Sequence, residues 1–436
     1  MSLAMSLRAR GPVGSAVRTV NVLSRFGASV AAMERRLDLY ESITVDLGIH
    51  PTWPATACVL GRHPALLRRY AERGAELTVH GLVHGDHSRL GARLQRDTLS
   101  RATEIFERAG LRPKGFRGPY LRYNAETLDV LRELEFWYHS SQAVVFPLVD
   151  AVQPTPAASG RFALACELYS AIDARTIAVT PRLREGLVDI PVAIPDDEIL
   201  VERLGVNVAT ATAQWLQILD DTYRRGELFT VQLHPERIIE LGDALGATCV
   251  EARRRSPAVY IARLEEIAAW WLRRSRFTIV VARSAPDRLR VHIEADGDAT
   301  VLVRGIDVAC EPWYGRDAVC RSRDFEVASP RAPIVGLSPS TPVWVGDLLR
   351  EEGMPFEISD RRESYGAYVD AAGPGWTEAR VLEAIETAPG PLVRIWRWPD
   401  SARSALAVTG DIDALTLRDF ALRSWETRGW SAGGGN

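Results

Sequence analysis

Short apolar runs alternate with longer stretches of helical apolar spacing through the first 275 residues, and few folds accommodate that rhythm. Runs this short, with little polar alternation, suit strands buried on both faces; separated by helices, such strands belong to a mostly parallel sheet or barrel. A helical pattern over 14–48, carried by Met33, Leu37, Tyr40 and Ile43 and stopped by Gly48, precedes PTWPATACVL, which reads as a buried strand. HPALLRRYAERG has Pro64 at a helix start and Gly74 just past the end. AELTVH is a strand ending at His80, residues 88–109 are a helix closed by Gly110, GFRGPY is a strand and turn, and NAETLDVLRELEF is a helix capped by Asn124. LVDIPVAIP reads as strand, 208–225 as a helix ending at Gly226, LFTVQLHPE as a strand running into a histidine, and 257–274 as a helix.

The pattern changes at residue 276. FTIVVAR, RLRVHIEA, ATVLVRG and DFEVAS are short alternating segments with turn residues between them, as in a small antiparallel β unit extending to 329. A last α/β segment occupies 330–436: PIVGLS, a helix near 341–352, FEIS, a helix from Thr377, then PLVRIW and ALAVTG. The expected organisation is thus α/β throughout, with units at 1–275, 276–329 and 330–436.

Charge and cysteine usage narrow the function. Fifty-three basic residues against 56 acidic ones leave a net charge of −3, with no field of one sign to favour nucleic acid or an anionic membrane. Five cysteines, none in a CxxC pair, argue against a thiolate zinc site and for reduced thiols, each read as a small buried apolar residue. No run approaches a transmembrane helix, and the first twenty residues lack the apolar stretch of a signal peptide, so a cytoplasmic protein is expected.

Candidate chemistry gathers where predicted strands give way to loops, the carboxyl ends at which βα barrels build their sites. In TVHGLVHGDH, His80 and His84 are four residues apart; on one helical turn they share a face, and both imidazoles can reach one metal ion. A chance pairing among eight histidines is the alternative, and His87 falls on another face, behind the ligands or on the surface. ALAVTGDIDAL ends a strand, 405–409, in Gly410, Asp411 and Asp413. One acid can ligate a metal while the other accepts a proton, although a helix cap or a turn also uses Asp here. Arg117 in FRGPY can orient a carboxylate through paired hydrogen bonds or sit in a surface salt bridge. His234, ending LFTVQLH, can be a general acid or a satisfied core-edge histidine. One of Asp189, Asp196 and Asp197 can hold His234 in its tautomer, the rest being turn acids.

HGLVH, FRGPY and the looser QLH, in that order over residues 50–240, resemble the motifs of the polysaccharide deacetylase family (NodB homology, carbohydrate esterase family four), whose fold is a distorted (β/α) barrel. That family's acid pair on a first strand has no match near residues 31–47, where Asp46 lies within the helical pattern; ALAVTGDID near the C-terminus resembles it instead. The resemblance therefore implies a circular permutation, with strand 405–413 returning to complete the barrel and its site. It further implies that Asp413, His80 and His84 bind a divalent metal, zinc, and that Asp411 is the base positioned by Arg117. By the same resemblance His234 protonates a departing amine, and Tyr120, Asp189 and Asp197 serve the substrate side. The implied activity is hydrolysis of an amide on an N-acetylated carbohydrate. Three alternatives stay open: a cytosolic hydrolase of small or cyclic amides on this fold, an inactive glycan-binding relative using aromatics such as Trp313 and Tyr314, and an intertwined homodimer whose site is completed in trans.

Overall fold

The computed structural model describes residues 25–428, so the first part of the helical pattern expected from residue 14 lies outside the described residues. The strands of the first half are β1 Thr52–Ala55, β2 Glu76–Val79, β3 Gly115–Phe116, β4 Tyr138–His139, β5 Ala143–Val145, β6 Ile172–Asp173, β7 Arg182–Arg184, β8 Leu187–Asp189, β9 Val192–Ile194, β10 Leu228–Gln232 and β11 Val259–Ile261. Those of the second half are β12 Thr278–Ala285, β13 Arg288–Glu294, β14 Ala299–Arg304, β15 Cys310–Tyr314, β16 Asp317–Cys320, β17 Asp324–Ala328, β18 Ala332–Leu337, β19 Phe356–Ile358, β20 Tyr365–Val369, β21 Leu392–Pro399 and β22 Ser404–Thr409.

The main sheet runs β10–β22–β1–β2–β3–β4–β8–β7, with β11 also on β22. Every pairing in it is parallel except β7–β8. β5 and β9 continue β4 and β8 after a bend and pair with each other, β6 pairs with the other side of β5, and β9 packs against β10. The result is a strongly curled mixed sheet, a half-barrel with helices outside. β22, from the far end of the chain, sits between β10 and β1. Its register against β10 is continuous, Leu228↔Ala405 through Gln232↔Thr409, whereas it meets β1 at Thr52↔Thr409 and beyond that through an Ala55↔Ile412 bridge. Pro54, which has no N–H, lies on this loosened side; its carbonyl accepts from the Ile412 amide.

β1, β2, β10 and β22 are buried at every position, the expected state of parallel strands covered on both faces. Trp53 on β1 is fully buried and meets Tyr40 and Tyr70 edge-on, with ring centroids 5.6 and 5.5 Å away. Each such pair adds about 1 kcal/mol to simple burial and fixes the helices Ala31–Val45 and Pro64–Glu72 against the sheet. A second apolar cluster, built on Trp270, Trp271 and Trp398, joins the barrel to the antiparallel strands, and a third lies under β18–β20. Among the described residues no helix is long and apolar enough to cross a membrane.

Several elements differ from the sequence reading. ACVLGR after β1 is helix, Ala57–Arg62, and the helix expected from residue 88 begins at Ala92 after a short 3₁₀ turn. LVDIPVAIP is two strands, because the chain bends at Ile190–Pro191 to serve two sheets. The stretch 257–274 opens as β11, and its helix starts only at Leu264; three residues are too few for a period to register. The antiparallel strands divide: β12–β13–β17 form one sheet, while β14 pairs with β21, through Val301↔Ile395, in a sheet with β15 and β16. All five cysteines are free, but only Cys249 and Cys320 are buried as expected; Cys58 and Cys166 are half-buried and Cys310 is exposed.

Candidate active site

β2 delivers His80 at its end, and a tight turn then doubles the chain back so that His84 faces it, ring centroids 5.1 Å apart. The turn is not a helix, as the four-residue spacing suggested; it relies on Gly81, whose φ of +78° suits glycine and whose Cβ position lies 2.7 Å from His87 Nε2. His87 is fully buried, edge-on to Phe116 at 5.4 Å, and burial pulls its pKa down to about 3; it is a core residue and not a surface one. The Arg117 carbonyl lies 2.8 Å from His80 Nδ1 and can only accept, which assigns the proton to Nδ1 and leaves the Nε2 lone pair free to face inward.

From the other side, β22 ends at Thr409 and turns at Gly410, where a Cβ would sit 2.1 Å from the Leu233 carbonyl oxygen. Only glycine allows the ends of β22 and β10 to come this close. Asp411 and Asp413 follow. His80 Nε2 is 3.3 Å from Asp413 Oδ1 and 3.6 Å from Asp411 Oδ2, and His84 Nε2 is 3.2 Å from Asp413 Oδ2. One atom each from His80, His84 and Asp413 fit within 4.8 Å of one another. His80 Nε2 and Asp413 Oδ1 are buried and have no hydrogen-bond partner, an arrangement of two lone-pair donors that suits a shared cation.

Arg117 is fully buried and its guanidinium is used on every side: Nη1 donates to Asp411 Oδ1 (3.1 Å) and Thr409 Oγ1 (2.8 Å), Nε to the Ser140 carbonyl (2.9 Å), and Nη2 to Ser140 Oγ (2.9 Å). Gln232 Nε2 holds the other Asp411 oxygen at 3.2 Å. Asp411 is thereby fixed beside the three clustered side chains.

His234 follows β10, and its Nδ1 lies 2.9 Å from Asp197 Oδ1. Burial opposes charge on the imidazole, but the Asp197 carboxylate outweighs it and raises the His234 pKa well above its ordinary value. Burial likewise pushes Asp197 upward, yet His234 and Arg237, whose Nε is 3.1 Å away, hold it low. Asp196 accepts from the Ile199 amide, and burial together with the Asp197 charge pushes it up to about 7. Asp189 ends β8 and stands 3.4 Å from His139, away from the cleft.

The cleft, about 140 Å³, is lined by His84, Tyr120, His234, Asp411, Asp413 and Arg423 among others. Tyr120 stacks edge-on against His84 at 4.4 Å and has φ +60°, as Leu121 has φ +53°; two consecutive non-glycine residues in the left-handed region mark a strained turn held by its surroundings. Three groups at the site were not singled out from the sequence: Gln232, Ser140 and Arg423. Arg423, on the helix Leu417–Glu426, donates to Asp413 Oδ2 at 2.7 Å and lies 3.3 Å from both His84 Nε2 and the Tyr120 hydroxyl. Burial, with this cation beside it, holds His84 well below its ordinary pKa.

Residues 48–139 match the family model described as polysaccharide deacetylase. Among curated proteins, a peptidoglycan deacetylase-like protein of Gibberella zeae is 27% identical over 136 residues, 30% of this chain and 40% of its own length. The chain thus spans well under half of that relative. Among solved structures, one described as a polysaccharide deacetylase of Mycobacterium smegmatis has a TM-score of 0.42 at 21% identity, over 54% of this chain and 76% of the other. One described in the same terms from Pseudomonas aeruginosa PAO1 has a TM-score of 0.42 at 19% identity, over 55% and 73%.

Proposed function

We propose, from the premise that this chain belongs to the polysaccharide deacetylase family through residues 48–139, that it is a metal-dependent hydrolase of amide bonds, acting on an N-acetylated carbohydrate. The observation that carries this reading is the meeting of His80, His84 and Asp413 within 4.8 Å, with Asp411 beside them. His80, His84 and Asp413 would hold a divalent ion, zinc by their donor set of two imidazoles and a carboxylate. Such an ion, when bound, supplies Lewis acidity and lowers the pKa of water to about 7.

The chain's own residues would do the rest. Asp411 accepts a proton from the attacking water, its carboxylate aimed by Arg117 on one oxygen and Gln232 on the other. His234, kept protonated by Asp197, gives a proton to the departing amine. Tyr120 walls the cleft beside His84. The place of β22 between β10 and β1 supports the view that a strand at the head of the barrel in the family stands at the tail here, so that one chain completes the site in cis.

A second reading, a small amide as substrate, is favoured by the size of the cleft, about 140 Å³. The deciding experiment pairs metal analysis with a substrate panel. Wild type is expected to hold one equivalent of zinc and to release acetate from N-acetylated amino-sugar oligomers. Asp413→Ala is expected to hold none and to be inactive. Turnover of small cyclic amides alone would favour the second reading, and wild type that binds no divalent metal would sink both.

A further inference from the structure

A larger cavity, about 630 Å³, lies where the barrel meets the strands around β14 and the C-terminal segment. It is at the opposite end of β22 from Asp411, about 26 Å along the eight residues from Arg403 at some 3.3 Å per residue. Its arginines are matched by acids with two exceptions. Arg304 and Arg394 share Asp317 and Glu386, two cations to two anions, and Arg397 pairs with Glu352. Among the described residues no carboxylate lies within ion-pair distance of Arg403 or Arg316.

Arg403 is 7% exposed. One Nη donates to the Arg224 carbonyl, at the end of the helix Val208–Arg225, but its Nε is buried without a hydrogen-bond partner, and so is the Nε of Arg394. Its guanidinium lies 4.1 Å from the Tyr314 ring and 4.9 Å from the Trp396 ring. Burial, with Arg394 and Arg397 nearby, pulls its pKa down to about 10, a measure of how poorly the charge is compensated. Arg316 stands exposed at the rim, donating to the Glu386 carbonyl.

A buried cation without a counter-charge is costly, and guanidinium forks with open N–H groups match phosphate oxygens in pairs. The volume falls in the range of small-molecule sites, and Tyr314, Trp396 and Leu382 supply flat and apolar wall for the remainder of a ligand. We infer that this cavity binds a phosphorylated small molecule, its phosphoryl group between Arg403 and Arg316. The inference stands apart from the hydrolase reading and would survive its failure.

The test is calorimetric titration of the full chain, chelator present, with inorganic pyrophosphate, uridine diphosphate and uridine. Pyrophosphate and the nucleotide are expected to saturate one site per chain and to compete, while uridine does not bind; the tighter of the two tells whether free phosphate or a phosphorylated organic molecule is the natural source. Loss of one charge-assisted contact should weaken binding by about tenfold or more in Arg403→Gln and in Arg316→Gln. The second variant is exposed, so it reports even if the first fails to fold. Asp413→Ala should bind unchanged. No saturable binding, binding unaltered in both arginine variants, or binding lost in Asp413→Ala would overturn the inference.

Discussion

Replacing Arg117 by Met keeps most of the side chain's length and removes the guanidinium, leaving Asp411, 3% exposed, with Gln232 as its remaining donor. Removing one partner of a buried pair costs about 3–5 kcal/mol, mostly for the charge left behind. Asp411→Asn removes that charge, and Arg117 keeps Thr409 and both Ser140 oxygens as acceptors, so its cost is smaller, about 1–3 kcal/mol. In the double variant nothing is left ionised and unpaired. Its loss should therefore fall short of the sum of the single losses by about 1–3 kcal/mol. The assay is urea unfolding of the four proteins in chelator, read where their denaturant slopes agree so that the comparison is of stabilities. Additivity within about 0.5 kcal/mol would refute the claim that Arg117 acts on Asp411, and would make it a packing residue for the β3 end of the barrel.

If His80, His84 and Asp413 hold zinc, a chelator lowers the melting temperature of wild type and leaves Asp413→Ala unmoved, since ligand held a thousandfold above its dissociation constant stabilises by about 4 kcal/mol; equal response of the two proteins speaks against the site. Because Asp197 raises the pKa of His234, the alkaline limb of the pH–rate profile, on which the acid loses its proton, should lie above the ordinary histidine range and move to lower pH in Asp197→Asn; an unmoved limb excludes this acid. Glu76, buried between Tyr138 and Thr52, has its pKa pushed up from 4.5 to about 7 by burial. A raised carboxyl pKa gives stability that is whole below 4.5 and lost as pH rises through 7, here about 3 kcal/mol, so Glu76→Gln should flatten the stability–pH curve in that window; a wild-type curve already flat there removes the argument.

The sequence was most legible where polar residues interrupt a continuous apolar run. His80, His234 and the two acids after Thr409 each end such a strand, and the end of a buried parallel strand is where a polar group must face a cleft or be wasted. Choosing among Asp189, Asp196 and Asp197 needed more, because all three lie within nine positions around a bend and only the direction of the chain past Pro195 turns Asp197 toward His234. His80 and His84 meet through one tight glycine turn and not along a helix face, since four-residue spacing is also what such a turn produces. One further signal is readable in β10. Thr230, Gln232 and His234 alternate with Phe229, Val231 and Leu233 in LFTVQLH, and a period of two puts the polar three on one face of an extended chain; that stripe was enough to set Gln232 on the same side as His234. Arg423 bears no such mark. It is one arginine on an amphipathic helix whose neighbours in sequence give no hint of a cleft, and its contact with Asp413 and His84 follows only once β22 has inserted between β10 and β1 and carried the next helix with it. Arg403 is opaque for the same reason: Trp396 is near it in sequence, but Tyr314 comes from a segment 89 residues earlier, brought to it through the β14–β21 pairing. Local pattern therefore exposes what a strand delivers at its own end, and long-range closure decides which cations meet it there.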